Sequence, residues 1–157
     1  MRVEVTLPSD RTLTGTLQGF DDDGVLVLGP VNCLGKADNA TAKLHENPSR
    51  DSLLPFGDTP TGNYDIVKLF SHTGGESDIH TYGTFPSVLL DPKFGNALKA
   101  KRNGRSGIMI HGGAPGAGGK LRPTFGCIRL SENDERDLAA LVLRSTLASS
   151  TVVVKEV

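Results

Sequence analysis

Residues His111 to Leu130 read HGGAPGAGGKLRPTFGCIRL and bring an imidazole, a thiol and a guanidinium together across a glycine-rich spacer. A cysteine attacks as its thiolate, and a thiol with the ordinary pKa near ~8.5 is mostly protonated at neutral pH, so a nearby base decides whether Cys127 is reactive. His111 has the chemistry for that task. Gly126, directly before Cys127, permits a tight backbone in which consecutive N–H groups converge on one point, as oxyanion stabilisation requires. Arg129 adds a fixed positive charge able to hold a carboxylate through two parallel hydrogen bonds, or to brace the cysteine loop. Taken singly, a cysteine such as Cys127 is more often a small core residue than a nucleophile, and a histidine such as His111 more often structural at a strand end. Their occurrence together around one spacer points to thiol catalysis.

Other chemistries fit less well. His45, His72, His80 and His111 lack the short spacing of metal ligands, so no metal site is expected. Gly113 to Lys120 resembles a phosphate-binding loop superficially, but Ala114 and Leu121 stand where that motif needs Gly and Ser or Thr. The triplet Asp21 to Asp23 before Gly24 is followed at position 30 by Pro where an EF-hand loop needs Glu, so a solvated hairpin turn is expected.

The 157 residues suffice for a single domain, residues 1–157, around one core. With 17 basic and 18 acidic residues spread along the chain, no electrostatic argument supports nucleic acid or an anionic membrane as partner. The content of 19 glycines, 9 prolines, 5% aromatics and no Trp points to a loop-rich, mainly β protein. The N-terminal MRVEVTLPSD alternates apolar and polar residues and reads as a strand, not an export signal, and no 18-residue apolar run is present. Cys33 and Cys127 are too few for a disulfide scaffold; Cys33 is expected in the core.

The elements that must position His111 and Cys127 follow from periodicity. Strands are expected at Val3–Leu7, Leu13–Leu17, Val25–Leu28, Tyr64–Phe70 and Ile79–Phe85, with a buried apolar run at Val88–Leu90 and a terminal strand at Val152–Val154. Residues 31–60 look irregular, with one helical turn near Arg50–Leu54, and another turn is expected at Ala97–Ala100. Ile108 to Ile110 is short and wholly apolar, a central strand that leaves His111 at its end. Ser131, with Asp134 or Glu135, caps a helix over Glu132–Leu147, whose apolar stripe is Leu138, Leu141 and Val142.

The segment resembles the L,D-transpeptidase catalytic domain, the YkuD-like family, whose signature is a His, a spacer, then Ser or Thr, His, Gly, Cys, a hydrophobic residue and Arg or Asn. Here it reads His111, a spacer, then Thr124, Phe125, Gly126, Cys127, Ile128 and Arg129. Ile108 to Gly112, Gly35 with Lys36, the run Asp58 to Asn63, and Tyr82 with Gly83 are similar to further family segments. The resemblance implies a β-sandwich-like domain with one or two helices that acts on peptidoglycan stem peptides without a cofactor. Cys127 would attack the amide before the terminal D-Ala of a tetrapeptide, with His111 as base, Gly126 and Cys127 N–H groups as oxyanion donors, and Tyr82, Gly112, Thr124, Phe125 and Arg129 around the substrate. An amine resolves the resulting thioester in an L,D-transpeptidase, and water in an L,D-carboxypeptidase; an antibacterial effector and a catalytically silent wall-binding module are alternatives of the same fold. The implied site of action is the cell wall or periplasm, with the export route and oligomeric state open. Two departures stand out: Phe125 replaces the family's second His, and the spacer between His111 and Thr124 is 12 residues.

Overall fold

Val3, Val5 and Leu7 are fully buried while Arg2 is exposed and Glu4 and Thr6 are half-buried, the alternation of a strand with one wet face. The computed structural model describes all 157 residues and places this strand, β1 (Arg2–Leu7), inside a sheet rather than at its edge. β1 pairs with β2 (Gly15–Phe20), which pairs with β3 (Leu26–Cys33), both antiparallel. The β2–β3 turn is an Asx turn in which Asp21 Oδ1 accepts from the N–H groups of Asp23 and Val25 at 3.0 and 2.9 Å.

The chain continues through α1 (Asn39–Leu44), β4 (Gly62–Phe70), α2 (Glu76–Tyr82), β5 (Ser87–Phe94), α3 (Gly95–Arg102), β6 (Met109–His111), β7 (Ile128–Arg129), α4 (Glu132–Leu143) and β8 (Thr151–Glu156). The strands form one sheet in the order β3-β2-β1-β8-β4-β5-β6-β7. Its two ends meet: Leu34, just beyond β3, and Arg129 of β7 exchange N–H···O bonds of 3.0 and 2.9 Å, which makes the sheet barrel-like. The mainly β class with a C-terminal helix is thus as expected, and the layered β architecture is realised as one continuous curled sheet. No helix is long and apolar enough to cross a membrane.

The core gathers Val3, Val5, Leu17, Tyr64, Ile110, Ile128 and Val152 from the sheet and Leu138, Leu141 and Val142 from α4. Ser131 caps α4 as expected, its Oγ accepting from Asp134 N at 3.2 Å. The helix ends at Leu143 instead of Leu147, with Arg144 as its C-cap and Ser145 donating its hydroxyl to the Leu141 carbonyl at 2.6 Å.

Three local expectations differ from the structure. Ile79–Phe85 is not a strand: Glu76–Tyr82 is helical, with Glu76 and Asp78 favouring its N-terminal end and Gly83 (φ 94°) stopping it. The region read as irregular contains α1, capped by Asp38, whose carboxylate accepts from Thr41 N and Oγ1 at 2.9 and 2.8 Å. Arg50–Leu54 contains turns and no helix. Cys33 is fully buried, and burial pushes its thiol up to about 12; neither cysteine is in a disulfide.

Candidate active site

β6 and β7 run parallel with Ile110 opposite Ile128 and His111 opposite Arg129. Side chains alternate across a strand, so Ile110 and Ile128 enter the core while Met109, His111, Cys127 and Arg129 share the opposite face. That places His111 diagonal to Cys127 across neighbouring strands. Both line one cleft of about 440 Å³, together with Tyr82, Thr124, Phe125, Gly126 and Arg129 of the residues singled out from the sequence. Gly112 is not in the lining; it lies behind His111.

The imidazole is set by its surroundings. Nδ1 lies 2.8 Å from the Gly112 carbonyl, which can only accept, so Nδ1 carries the proton and Nε2 keeps its lone pair. His111 is 2% exposed. Burial, followed by the positive charge of Arg129, pushes its pKa down to about 3, so the ring is neutral at ordinary pH. Tyr82 packs its ring edge-on against His111, centroids 5.1 Å apart, and stacks flat on His72 at 3.8 Å; His72 Nε2 reaches Ser87 Oγ at 2.8 Å.

The turn carrying the thiol is held from three sides. Thr124 Oγ1 accepts from Gly126 N at 2.9 Å and donates to Cys127 O at 2.8 Å, while Thr59 Oγ1 donates to Gly126 O at 2.8 Å. The Gly126 N–H is therefore occupied, whereas the Cys127 N–H makes no hydrogen bond within the chain. Gly126 has φ 114°, and a Cβ there would lie 2.0 Å from Arg105 Nη2 and 2.5 Å from the Gly57 carbonyl, so only glycine fits. Cys127 is half-buried, with Sγ accepting from Met109 N at 3.3 Å and donating to Gly107 O at 3.6 Å. Burial raises its thiol pKa, and the Met109 N–H, Arg105 and Arg129 act in the opposite direction. No hydrogen bond joins Sγ to the imidazole; thiol–imidazole contacts of this kind commonly tighten only when substrate is bound.

Arg129 is 3% exposed and its guanidinium is turned to backbone. Nε donates to Arg122 O at 3.1 Å, Nη1 to Thr81 O at 2.7 Å and to Gly112 O, and Nη2 to Pro123 O at 3.3 Å. Of its two anticipated roles, the contacts fill that of a brace; one guanidinium ties the end of α2, the turn after His111 and the approach to Cys127 together. Burial and then the neighbouring Arg122 lower its pKa to about 10.

Four contributors carried no sequence signal. Arg105, in the basic loop after α3, is 6% exposed and donates to the carbonyls of Ser52, Gly57 and Asp58 at 2.6, 3.0 and 2.8 Å. Arg122 donates to Ala114 O and His80 O, both at 2.7 Å, through Nε and Nη2, leaving Nη1 without a partner at the cleft. Phe56, from the long β3–β4 connection, stacks on His45 at 3.7 Å and meets Phe125 at 6.0 Å, so Phe125, 60% exposed, belongs to an aromatic rim. His72 enters through its stack with Tyr82. Arg105, Arg122 and Arg129 line the cleft and no carboxylate does. No group of three His, Cys, Asp or Glu side chains converges as a metal site would require.

A cysteine and a neutral histidine thus share one face of adjacent strands, before a capped helix in a curled sheet, which brings residue types able to act as nucleophile and base to one cleft. The model of the L,D-transpeptidase catalytic domain matches residues 3–154, and the chain belongs to that family, which acts on peptidoglycan stem peptides. No match was found among curated proteins. Among solved structures, Bd1075 of Bdellovibrio bacteriovorus is similar with a TM-score of 0.56 at 14% identity, over 97% of this chain and 47% of that one. An L,D-transpeptidase from Mycobacterium tuberculosis H37Rv gives a TM-score of 0.49 at 17% identity, over 98% of this chain and 57% of that one. The chain thus spans about half the length of these proteins, and the likeness to Bd1075 shows a shared fold.

Proposed function

We propose that this chain is a cysteine-dependent L,D-transpeptidase domain acting on tetrapeptide stems of peptidoglycan. The reading is carried by one observation: His111 and Cys127 face the same open cleft from adjacent parallel strands, and the Gly112 carbonyl fixes the imidazole with Nε2 as its basic nitrogen.

In this reading His111 Nε2 takes the thiol proton as sulfur attacks the carbonyl carbon preceding the terminal D-Ala. The developing oxyanion is met by the unoccupied Cys127 N–H; the Gly126 N–H, held by Thr124, serves the turn instead. When the intermediate collapses, the C–N bond breaks, His111 returns its proton to the departing amine, and a thioester remains on Cys127. A second stem's amine then attacks the thioester, losing its proton to His111, to give the cross-link and regenerate the thiol. Arg122, whose Nη1 is unpartnered, is the better placed carboxylate anchor of the two arginines, since Arg129 is turned to backbone carbonyls. Phe125 and Phe56 supply an apolar lip where the family's second His would offer a polar one.

The test is incubation of the purified chain with a disaccharide-tetrapeptide, read by mass spectrometry. Cross-linked dimers with loss of D-Ala support transpeptidation; tripeptide monomers alone indicate water as acceptor. Absence of both, with no acyl adduct on Cys127, would leave only a binding module. Cys127→Ala is expected to abolish every product.

A further inference from the structure

Three arginines are buried in this molecule, and they are treated differently by position. Arg11, 7% exposed and remote from the cleft, pairs with Glu156 at 2.8 Å. Arg105 and Arg129, 6% and 3% exposed, line the cleft and take part in none of the ion pairs, all of which lie elsewhere. A buried cation whose own hydrogen bonds go to neutral carbonyls is screened poorly by water; the carboxylates of Asp58 and Asp51 offset part of the Arg105 charge, and what remains favours an anion formed in front of it. The two charges are also aimed at different places. Arg105 Nη2 lies against the residue before the nucleophile, 2.0 Å from where a Gly126 Cβ would be; Arg129 Nη1 lies equally close to the Cβ position of Gly113, on the histidine side.

We propose that Arg105 is the counter-charge of the Cys127 thiolate, so that the charge-stabilising partner in this cleft is a guanidinium and His111 acts only as a neutral base. Arg129 disfavours an imidazolium at His111, and the anion at Cys127 is favoured by the Met109 N–H, then Arg105, which lies against the residue before it, and then Arg129. The other charged or titratable groups facing the sulfur and Arg105 are Arg122 in the spacer, His111 on β6, Tyr64 on β4, and Asp51 and Asp58 in the β3–β4 connection, whose carboxylates act on Arg105. Tyr64 donates its hydroxyl to Pro60 O at 2.7 Å, and burial holds its phenol above the usual range, so it contributes no charge. Arg105 is a positioning residue that acts through the sulfur's protonation state, and the proposal rests on the reading of Cys127 as the nucleophile.

The experiment is alkylation of the full chain by iodoacetamide from pH 6 to 10, with the rate at Cys127 followed by peptide mass and the buried Cys33 resolved from it. The thiolate lone pair forms the S–C bond, iodide leaves, and the thiol proton goes to buffer. Arg105→Met is expected to raise the midpoint of the profile by about one pH unit, slowing alkylation at pH 7 about tenfold. Arg105→Lys, which keeps the charge, should restore most of the rate, and His111→Gln should leave the midpoint within a few tenths of a unit. A rise of a unit or more in His111→Gln means an imidazolium is the partner and overturns the proposal, and so does an unmoved midpoint in folded Arg105→Met. If Arg105→Met does not fold, Arg105→Gln, which keeps hydrogen-bond donors without the charge, decides it: a midpoint raised by about one unit supports the counter-charge, and an unmoved one overturns it. Alkylation needs no peptidoglycan, so a chain with this profile but no stem-peptide product loses the proposed function and keeps the counter-charge.

Discussion

Glu135, outside the cleft lining, couples pH to stability. It is 2% exposed on the first turn of α4, pressed against Gly83 and Gly112, and neither carboxyl oxygen has a hydrogen-bond partner at normal geometry. Burial raises its pKa from 4.5 to about 8, with the nearby N–H groups of Gly112 and Phe85 offsetting part of the rise. The folded state therefore holds more protons than the unfolded one between pH 4.5 and 8, and stability falls as pH rises through that window. His111 works the other way: with its pKa pushed from 6.5 down to about 3, the unfolded state binds the extra proton and stability falls as pH drops through that range. The opposed slopes offset each other between about pH 4.5 and 6.5, where these two groups place the stability maximum. Glu135→Gln should flatten the alkaline limb and stabilise the fold by on the order of 1–3 kcal/mol at pH 9, measured by urea unfolding across pH. A variant whose alkaline limb matches the parent's would show that the buried carboxyl is not the titrating group.

At the scale of elements, α2 is held in an unusual way for a helix that walls the candidate active-site cleft. It buries no residue, so apolar packing contributes little to its position. Its last carbonyls do the holding: His80 O accepts from Ala114 N and Arg122, Thr81 O from Arg129, and Tyr82 O from Gly112 N. Arg129→Lys keeps the charge but cannot reach carbonyls of Thr81, Gly112, Arg122 and Pro123 together. The expected cost is about 2–4 kcal/mol of stability, with turnover falling further than the melting curve alone explains, because Tyr82 and His111 lose their registration. Equal losses in stability and activity would instead mark Arg129 as a purely structural brace. Hydrogen exchange provides an independent check: amides of α2 should exchange much faster in the variant while those of β1 and β8 stay protected.

For the whole molecule, the last strand is the central joint. β8 lies parallel to β1 on one side and antiparallel to β4 on the other, and it buries Val152 and Val154. Without it the β3-β2-β1 unit loses its connection to the β4-to-β7 unit that carries the cleft. Deleting residues 151–157 should abolish cooperative unfolding, seen as loss of the near-ultraviolet signal and of the urea transition. A truncated chain that still unfolds in one sharp transition would mean the two halves cohere through the Leu34–Arg129 closure and α4.

Much of this protein is legible from its residues alone. Period-two burial in Val3, Val5 and Leu7, the wholly apolar Ile108–Ile110 and the Ser131 cap each follow from interactions within a few residues, and these elements formed where local patterning put them. His111 and Cys127 were recognisable because the motif is contiguous and its spacer is glycine-rich. Local patterning misread α2, since Ile79, Tyr82 and the residues around them fit a strand as well as a helix and the choice was made by which partners the carbonyls of His80, Thr81 and Tyr82 found. It was silent on Arg105, Arg122 and Phe56, which come from separate loops and meet the sulfur's cleft only after the sheet has curled. The acceptors and buried surroundings that give a guanidinium its meaning are supplied by chain segments tens of residues away, so the candidate pair His111 and Cys127 is written in the sequence and the field acting on it arises only on folding.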